Sequence, residues 1–147
     1  MNDMRQTALR LAGQADLLDI RMVESSFRHI EFPGEGQITY HLHISPGAQL
    51  SEPEQRLVTS ADFNLDIGQD VDGETNEIAS IKFKLAGLYA LTESSDFTEE
   101  EVTAFAETTG VFALYPYARE YVQDVTGRLG LPPLTLGLYK IPTGKEL

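Results

Sequence analysis

Leu57-Val58-Thr59-Ser60-Ala61-Asp62-Phe63-Asn64-Leu65-Asp66-Ile67 is the stretch from which the fold is read. Leu57, Thr59, Ala61, Phe63, Leu65 and Ile67 share one phase; Val58, Ser60, Asp62, Asn64 and Asp66 share the other. Successive side chains of an extended chain point to opposite faces. Period two with one polar phase therefore marks an antiparallel strand buried on one side.

The same pattern flanks this stretch. Upstream, Ile38, Tyr40, Leu42 and Ile44 alternate with Thr39, His41, His43 and Ser45. Downstream, Ile81, Phe83, Leu85, Gly87, Tyr89 and Leu91 alternate with Lys82, Lys84 and Ala86. Earlier still, Ile20 and Met22 alternate before Val23, Ser25 and Phe27 take the opposite phase, which indicates a strand with a bulge. Pro33-Gly34-Glu35-Gly36, Ser45-Pro46-Gly47 and the segment Gly68 to Gly73 supply turn chemistry. Four strands in succession suggest a meander-like antiparallel sheet.

Outside the strands the period is helical. Met4, Ala8, Leu11, Ala15 and Leu18 predict an amphipathic helix over residues 3–18. Thr98 with Glu101 three residues on is a capping-box signature, and Gly110 reads as the stop of that helix. Pro116 is placed to start a second helix, whose stripe runs through Leu114, Ala118, Tyr121 or Val122, Val125 and Leu129. Gly130 and Pro132-Pro133 end it, and the tail from Leu134 to Leu147 reads as extended. Strands first and helices afterwards give an α+β fold: a four-stranded antiparallel sheet with helices packed on one face, plus an N-terminal helix. The expected organisation is one domain over 1–147, with helix 3–18, sheet 19–92, helical region 97–130, and loop and tail 131–147.

Bulk properties narrow the function. Apolar residues make up 41% and charged residues 23%, the balance of a folded domain rather than a disordered chain. A formal charge of -12 repels phosphate backbones and anionic lipid, so nucleic acid and membrane surfaces are not expected partners. The same charge attracts basic segments of other proteins. The absence of cysteine excludes disulfides, thiolate nucleophiles and Cys-based zinc sites. Arg5 and Arg10 are followed by no continuous apolar run of the signal-peptide kind, and no stretch has the length of a membrane span, so the expected location is the cytoplasm.

Chemistry-bearing motifs are sparse. His41 and His43 share one side of a strand, but two ligands do not define a metal site. Asp66, Asp70, Asp72, Glu74 and Glu77 look like a calcium loop. Aligning Gly73 to the sixth position, however, puts Gly68 and Ala79 where the first and twelfth ligands belong. Gly34-Glu35-Gly36 has no following helix to hold a phosphate, and Gly144-Lys145 lacks the rest of a P-loop. Glu99, Glu100 and Glu101 occupy a helix's first turn, where the dipole favours acids for structural reasons. No cofactor and no enzymatic activity are expected. A small ligand-binding domain or enzyme on this fold is the outlying alternative. What stands out is aromatic: Phe112, Leu114, Tyr115, Pro116 and Tyr117 crowd the region between the two expected helices, more than a small sheet and two short helices easily hide.

Here the residues resemble a known family. Leu114-Tyr115-Pro116-Tyr117-Ala118-Arg119-Glu120, followed by Gly127-Arg128 and Leu131-Pro132-Pro133-Leu134-Thr135-Leu136, resembles the signature of the SecB chaperones. That signature is an aromatic-Pro-Tyr-Ala-Arg-Glu helix start, a basic helix end and a Pro-x-Leu-x-Leu loop. The resemblance is specific over about residues 97–137 and pattern-level before that. From Phe97-Thr98-Glu99-Glu100-Glu101 through Thr108-Thr109-Gly110 to Leu136, the chain is similar to the SecB-like chaperones encoded with stress-responsive toxin–antitoxin modules. The extra N-terminal helix also resembles that branch.

The resemblance implies an ATP-independent holdase. It implies a homotetramer, a dimer of dimers with helices sandwiched between sheets, and long apolar grooves for unfolded client protein. Carried onto this sequence, the groove residues are Ile38, Tyr40 and Leu42 on the second strand, Phe63 and Leu65 on the third, and Phe83, Leu85 and Tyr89 on the fourth. Phe112, Tyr115 and Tyr117 would line the adjoining helix entrance. The implied client is the antitoxin of a toxin–antitoxin module. The alternative is a general export chaperone that delivers preproteins to the SecA translocase. Export members dock SecA through acids, where this sequence has Ser26, Ile30 and Lys82, so SecA binding is not expected. They also carry a long C-terminal helix that this sequence does not supply. The N-terminal helix is expected to cover part of the surface left bare.

Overall fold

The computed structural model describes residues 4–51, 53–92 and 96–139. Helix α1 (Met4–Ala12) is followed by four strands: β1 (Ala15–His29), β2 (Ile38–Ser51), β3 (Arg56–Val71) and β4 (Glu74–Leu91). Helix α2 (Glu99–Phe105), a π-helical turn (Ala106–Gly110) and helix α3 (Val111–Arg128) then run end to end. The fold is the expected α+β class, with an antiparallel four-stranded sheet and a leading helix.

The sheet order is β1-β4-β3-β2, so the meander expectation holds only for β2, β3 and β4. Alternation reveals strands but not their neighbours. Here β1 pairs with β4, and the chain crosses the end of the sheet to begin β2 at the opposite edge. Residues 30–37 make that crossing. Ile30 N–H donates to the Ile78 carbonyl at 2.8 Å. The buried Gln69 amide accepts from Gly34 N–H and donates to the Gly34 and Gly36 carbonyls. The bulge expected in β1 is present as a register shift between Met22 and Glu24, with a second between Leu17 and Asp19.

Three local expectations are corrected. The N-terminal helix stops at Ala12, and Ala15 and Leu18 lie in β1, because Gly13 ends the helical ladder with its N–H on the Leu9 carbonyl. Ser45-Pro46-Gly47 is not a turn. It lies inside β2 opposite Ala61 and Ser60, where an edge strand tolerates the missing N–H of proline. Gly68 likewise belongs to β3, and the hairpin turn is only Asp72-Gly73, both in the left-handed region at φ 51° and 83°.

The capping box at Thr98 and Glu101 forms as the sequence indicates. Gly110 does not stop the helix, and Pro116 does not start one; it sits inside α3. There the proline has no N–H to give to the Phe112 carbonyl one turn back, and its ring crowds that carbonyl. At Gly110 a Cβ would lie 3.3 Å from Thr59, so glycine is what lets the π-helical turn rest on β3.

Two apolar clusters form between helices and sheet. The larger gathers Phe63, Leu65, Ile81, Phe83 and Leu85 under Leu114, Ala118 and Val122 of α3. The smaller gathers Leu57, Tyr89, Leu91, Phe97 and Phe105 under Ala8 and Leu11 of α1. After α3, Gly130 (φ 81°) turns the chain back, and Leu131 and Leu136 enter the larger cluster. The expectations placed on residues 3 and 140–147 lie outside the described residues.

Candidate functional site

Each strand sends one face toward the helices, but α3 covers only the middle of the sheet. On β3 and β4 the helix-side residues are buried; on the edge strands they are not. Two apolar strips therefore flank α3.

The first strip runs along β2. Ile38, Leu42 and Ile44 are half-buried, and Tyr40 is 46% exposed. Its far wall is the loop after α3. Ile38, Tyr40 and Ile67 face Leu131, Pro132, Pro133 and Leu134 across a cleft of about 180 Å³, lined mostly by carbon. The loop is tied down from behind. Thr126 Oγ1 accepts from Leu134 N–H, and the Arg119 guanidinium donates to the Leu136 and Gly137 carbonyls. Tyr139 packs beside Tyr115, 5.3 Å between centroids, and donates its hydroxyl to the Glu107 carbonyl in the π-helical turn. Burial pushes the phenols of Tyr89, Tyr115 and Tyr139 above their ordinary pKa.

The second strip runs along β1. Leu17, Ile20, Met22 and Phe27 lie opposite Tyr89, Gly87, Leu85 and Ile81 of β4, hence on the helix side. Leu17, Met22 and Phe27 are nonetheless exposed, Phe27 by 54%. Tyr121 of α3 reaches this strip, its hydroxyl bonded to that of Ser25. Tyr117, one turn earlier on the same side of α3, is 53% exposed.

The residues named from the resemblance thus divide. Ile38, Tyr40 and Leu42 line the β2 strip, and Tyr117 stands above the β1 strip. Phe112 is 58% exposed and lies on the Tyr115 side of α3, three residues before it. It is not beside Tyr117, because five residues carry the helix about 140° around. Phe63, Leu65, Phe83, Leu85 and Tyr115 are interior in the larger cluster, and Tyr89 in the smaller one. They support the walls of the site rather than its surface. The apolar surface that the sequence reading missed is that of β1, at Leu17, Met22 and Phe27. The phase change in β1 was visible. Its edge position, which leaves the strip uncovered, depends on strand order and was not.

His41 and His43 lie on the opposite, polar face of β2. Among the described residues no three His, Asp or Glu side chains gather as a metal site requires, and no helix is long and apolar enough to cross a membrane.

Fold and surface together define an α+β domain with two apolar strips left uncovered beside α3. The SecB-like chaperones Rv1957 and MT2006 of two Mycobacterium tuberculosis strains (H37Rv and CDC 1551) are each 40% identical to this chain over 157 residues. The match covers 95% of this chain and 86% of each relative. The solved structure of M. tuberculosis Rv1957 SecB-like chaperone, in complex with a ChAD peptide from the Rv1956 HigA1 antitoxin, superposes with a TM-score of 0.85. It is 37% identical, over 92% of this chain and 98% of that one. No protein-family model matches the chain. The chain belongs to the SecB-like chaperones.

Proposed function

We propose that this chain is an ATP-independent holdase whose client is the antitoxin of a toxin–antitoxin module, so that it controls how much toxin is neutralised. The observation that carries the reading is the pair of apolar strips left open beside α3, in a chain 37% identical to one solved with an antitoxin peptide. The client-binding residues we assign are Ile38, Tyr40 and Leu42, with Phe112 and Tyr117 at the helix. Phe63, Leu65, Phe83, Leu85, Tyr89 and Tyr115 act from behind. The reading includes a cytoplasmic location, a role under stress and no enzymatic activity. It also includes a homotetramer, a dimer of dimers.

Physical chemistry favours an extended client. One apolar side chain settling into a cleft gains about 1.5–3 kcal/mol, which by itself is millimolar-grade binding or weaker. A segment that spans several clefts gains through effective concentration, and an oligomer multiplies the clefts. Aromatic walls suit this because they offer large contact area at small rotamer cost.

Co-expression of toxin and antitoxin with and without this protein tests the reading. A longer antitoxin lifetime and lower toxicity are expected when it is present; equal lifetimes and equal toxicity would sink the proposal. The export alternative has less support. Ser26 and Lys82 face each other across β1 and β4, where export members carry acids. Titration calorimetry against SecA is expected to give no binding heat, and a clear isotherm would restore the export reading.

A further inference from the structure

One long side of β2 is open. Its pairing with β3, from Ile38 opposite Gln69 to Ser51 opposite Arg56, runs without a register shift. Opposed residues of an antiparallel pair alternate between exchanging both backbone bonds and turning those groups away. Asp70 N–H donates to the Gln37 carbonyl at 3.0 Å, which fixes the phase one step before the strand begins. Thr39, His41, His43 and Ser45 therefore bond to β3, while Ile38, Tyr40, Leu42 and Ile44 turn their N–H and C=O groups outward. Pro46 falls in the outward set, where no ladder bond needs its missing N–H. Among the described residues no hydrogen bond reaches the outward groups.

Open edges invite pairing, and natural strands blunt them with charges and bulges. Strand β1, the other edge of the sheet, has both: Asp16, Asp19, Arg21, Glu24 and Arg28, and two register shifts. Strand β2 has neither. From Ile38 to Ser51 it holds no Asp, Glu, Lys or Arg, in a chain that is 23% charged, and Pro46 is its single interruption. The residues whose backbone groups are free are also those whose side chains form the apolar strip, beside the cleft at Leu131 to Leu134. Unpaired donors and acceptors at every second residue, with apolar side chains in the same phase, are complementary to an extended backbone.

We propose that the edge of β2 from Ile38 to Ile44 is a strand-addition site, which a client segment joins as a fifth strand with apolar residues at every second position. The inference deepens the holdase reading above and rests on it. Backbone bonds hold any sequence able to extend, while the strip and its cleft select the alternate apolar side chains. Pro46 offers no N–H at this edge, so the ladder of paired groups stops at Ile44. A client proline is excluded wherever its nitrogen would face β2, and tolerated at the positions between.

The test uses a labelled peptide of about nine residues, alternating leucine and threonine and flanked by lysine, whose binding to the full-length protein is followed by fluorescence anisotropy. Two further peptides carry a single backbone N-methyl group, one at the central leucine and one at the threonine beside it. In an added strand only every second N–H faces β2. One methylated peptide is therefore expected to bind about two- to tenfold more weakly than the parent, the factor that one hydrogen bond supplies, and the other to match it. Which of the two loses affinity reports the direction of the client strand. Equal binding of the two methylated peptides overturns the inference and leaves the strips as side-chain sites, so the holdase reading survives. A parent peptide that does not bind would instead count against the holdase reading, and this inference with it. Amide exchange followed by NMR is an independent check. The N–H groups of Tyr40, Leu42 and Ile44 are expected to exchange faster than those of His41 and His43 in the free protein, and to slow when the parent peptide is added. Slow exchange at all five before any peptide is present would mean that a second copy of the chain already pairs with this edge, and overturns the inference.

Discussion

The ring of Tyr121 stands edge-on to that of Phe83, with 4.9 Å between their centroids, while its hydroxyl bonds to that of Ser25. One side chain thus joins helix α3, the central strand β4 and the edge strand β1. Tyr121→Phe keeps the ring and removes one hydrogen bond, so a stability loss of about 0.5–1.5 kcal/mol is expected. Tyr121→Ala removes the ring contact as well and is expected to cost about 2–4 kcal/mol. Urea denaturation separates the two. Equal midpoints would mean that the ring contributes nothing beyond its hydroxyl.

Glycines at 36 and 73 both have positive φ, for different reasons. At Gly36 (φ 141°) a Cβ would lie 2.2 Å from the Asp70 carbonyl oxygen, inside the crossing that carries the chain from β1 to β2. Gly73 (φ 83°) has open space around it, and only its backbone angle resists substitution. Gly36→Ala is therefore expected to cost about 1–3 kcal/mol or more, and Gly73→Ala about 1 kcal/mol. Thermal or urea melts that rank them in the reverse order would refute the steric argument.

The uneven legibility of this molecule has a physical cause. Strand phases at Leu57 to Ile67 and the capping box at Thr98 and Glu101 were readable because each depends on residues near in sequence. The bulge near Val23 was readable for the same reason. Pro46 misled because a proline marks a turn only where both backbone flanks need partners, and β2 has a free edge. Gly110 misled because its close approach to Thr59 is a contact between elements, invisible along the chain. The site followed suit. Large apolar residues could be named, but which became surface depended on β1 and β2 being the edges.

Glu101 links stability to pH. The Arg10 guanidinium, helped by the Thr98 N–H, holds its carboxyl down at about 2. A carboxyl depressed on folding contributes stability above its unfolded pKa and loses it as pH falls toward the folded value. The contribution is expected to be complete at pH 6 and to fade between the ordinary glutamate range and pH 2. Glu101→Gln preserves the capping box and removes the charge. It is expected to lower the urea midpoint at pH 6 and to match the natural protein near pH 2. A midpoint difference that stayed constant over this range would exclude the ion pair as its origin.

Surface and interior aromatics should separate when mutated. Phe63 is 1% exposed and stacks on Phe83 at 4.8 Å, so Phe63→Ala is expected to cost about 3–5 kcal/mol and to leave little folded protein. Tyr40 and Tyr117 are about half exposed and support no comparable core. Tyr40→Ala and Tyr117→Ala are expected to change stability by about 0.5 kcal/mol or less. If they touch a client, losing one aromatic anchor weakens binding of an apolar peptide by about tenfold. Anisotropy titrations beside urea melts give both quantities on the same samples. Natural affinity in both tyrosine variants, at unchanged stability, would move the client surface away from these two residues and toward the β1 strip at Leu17, Met22 and Phe27.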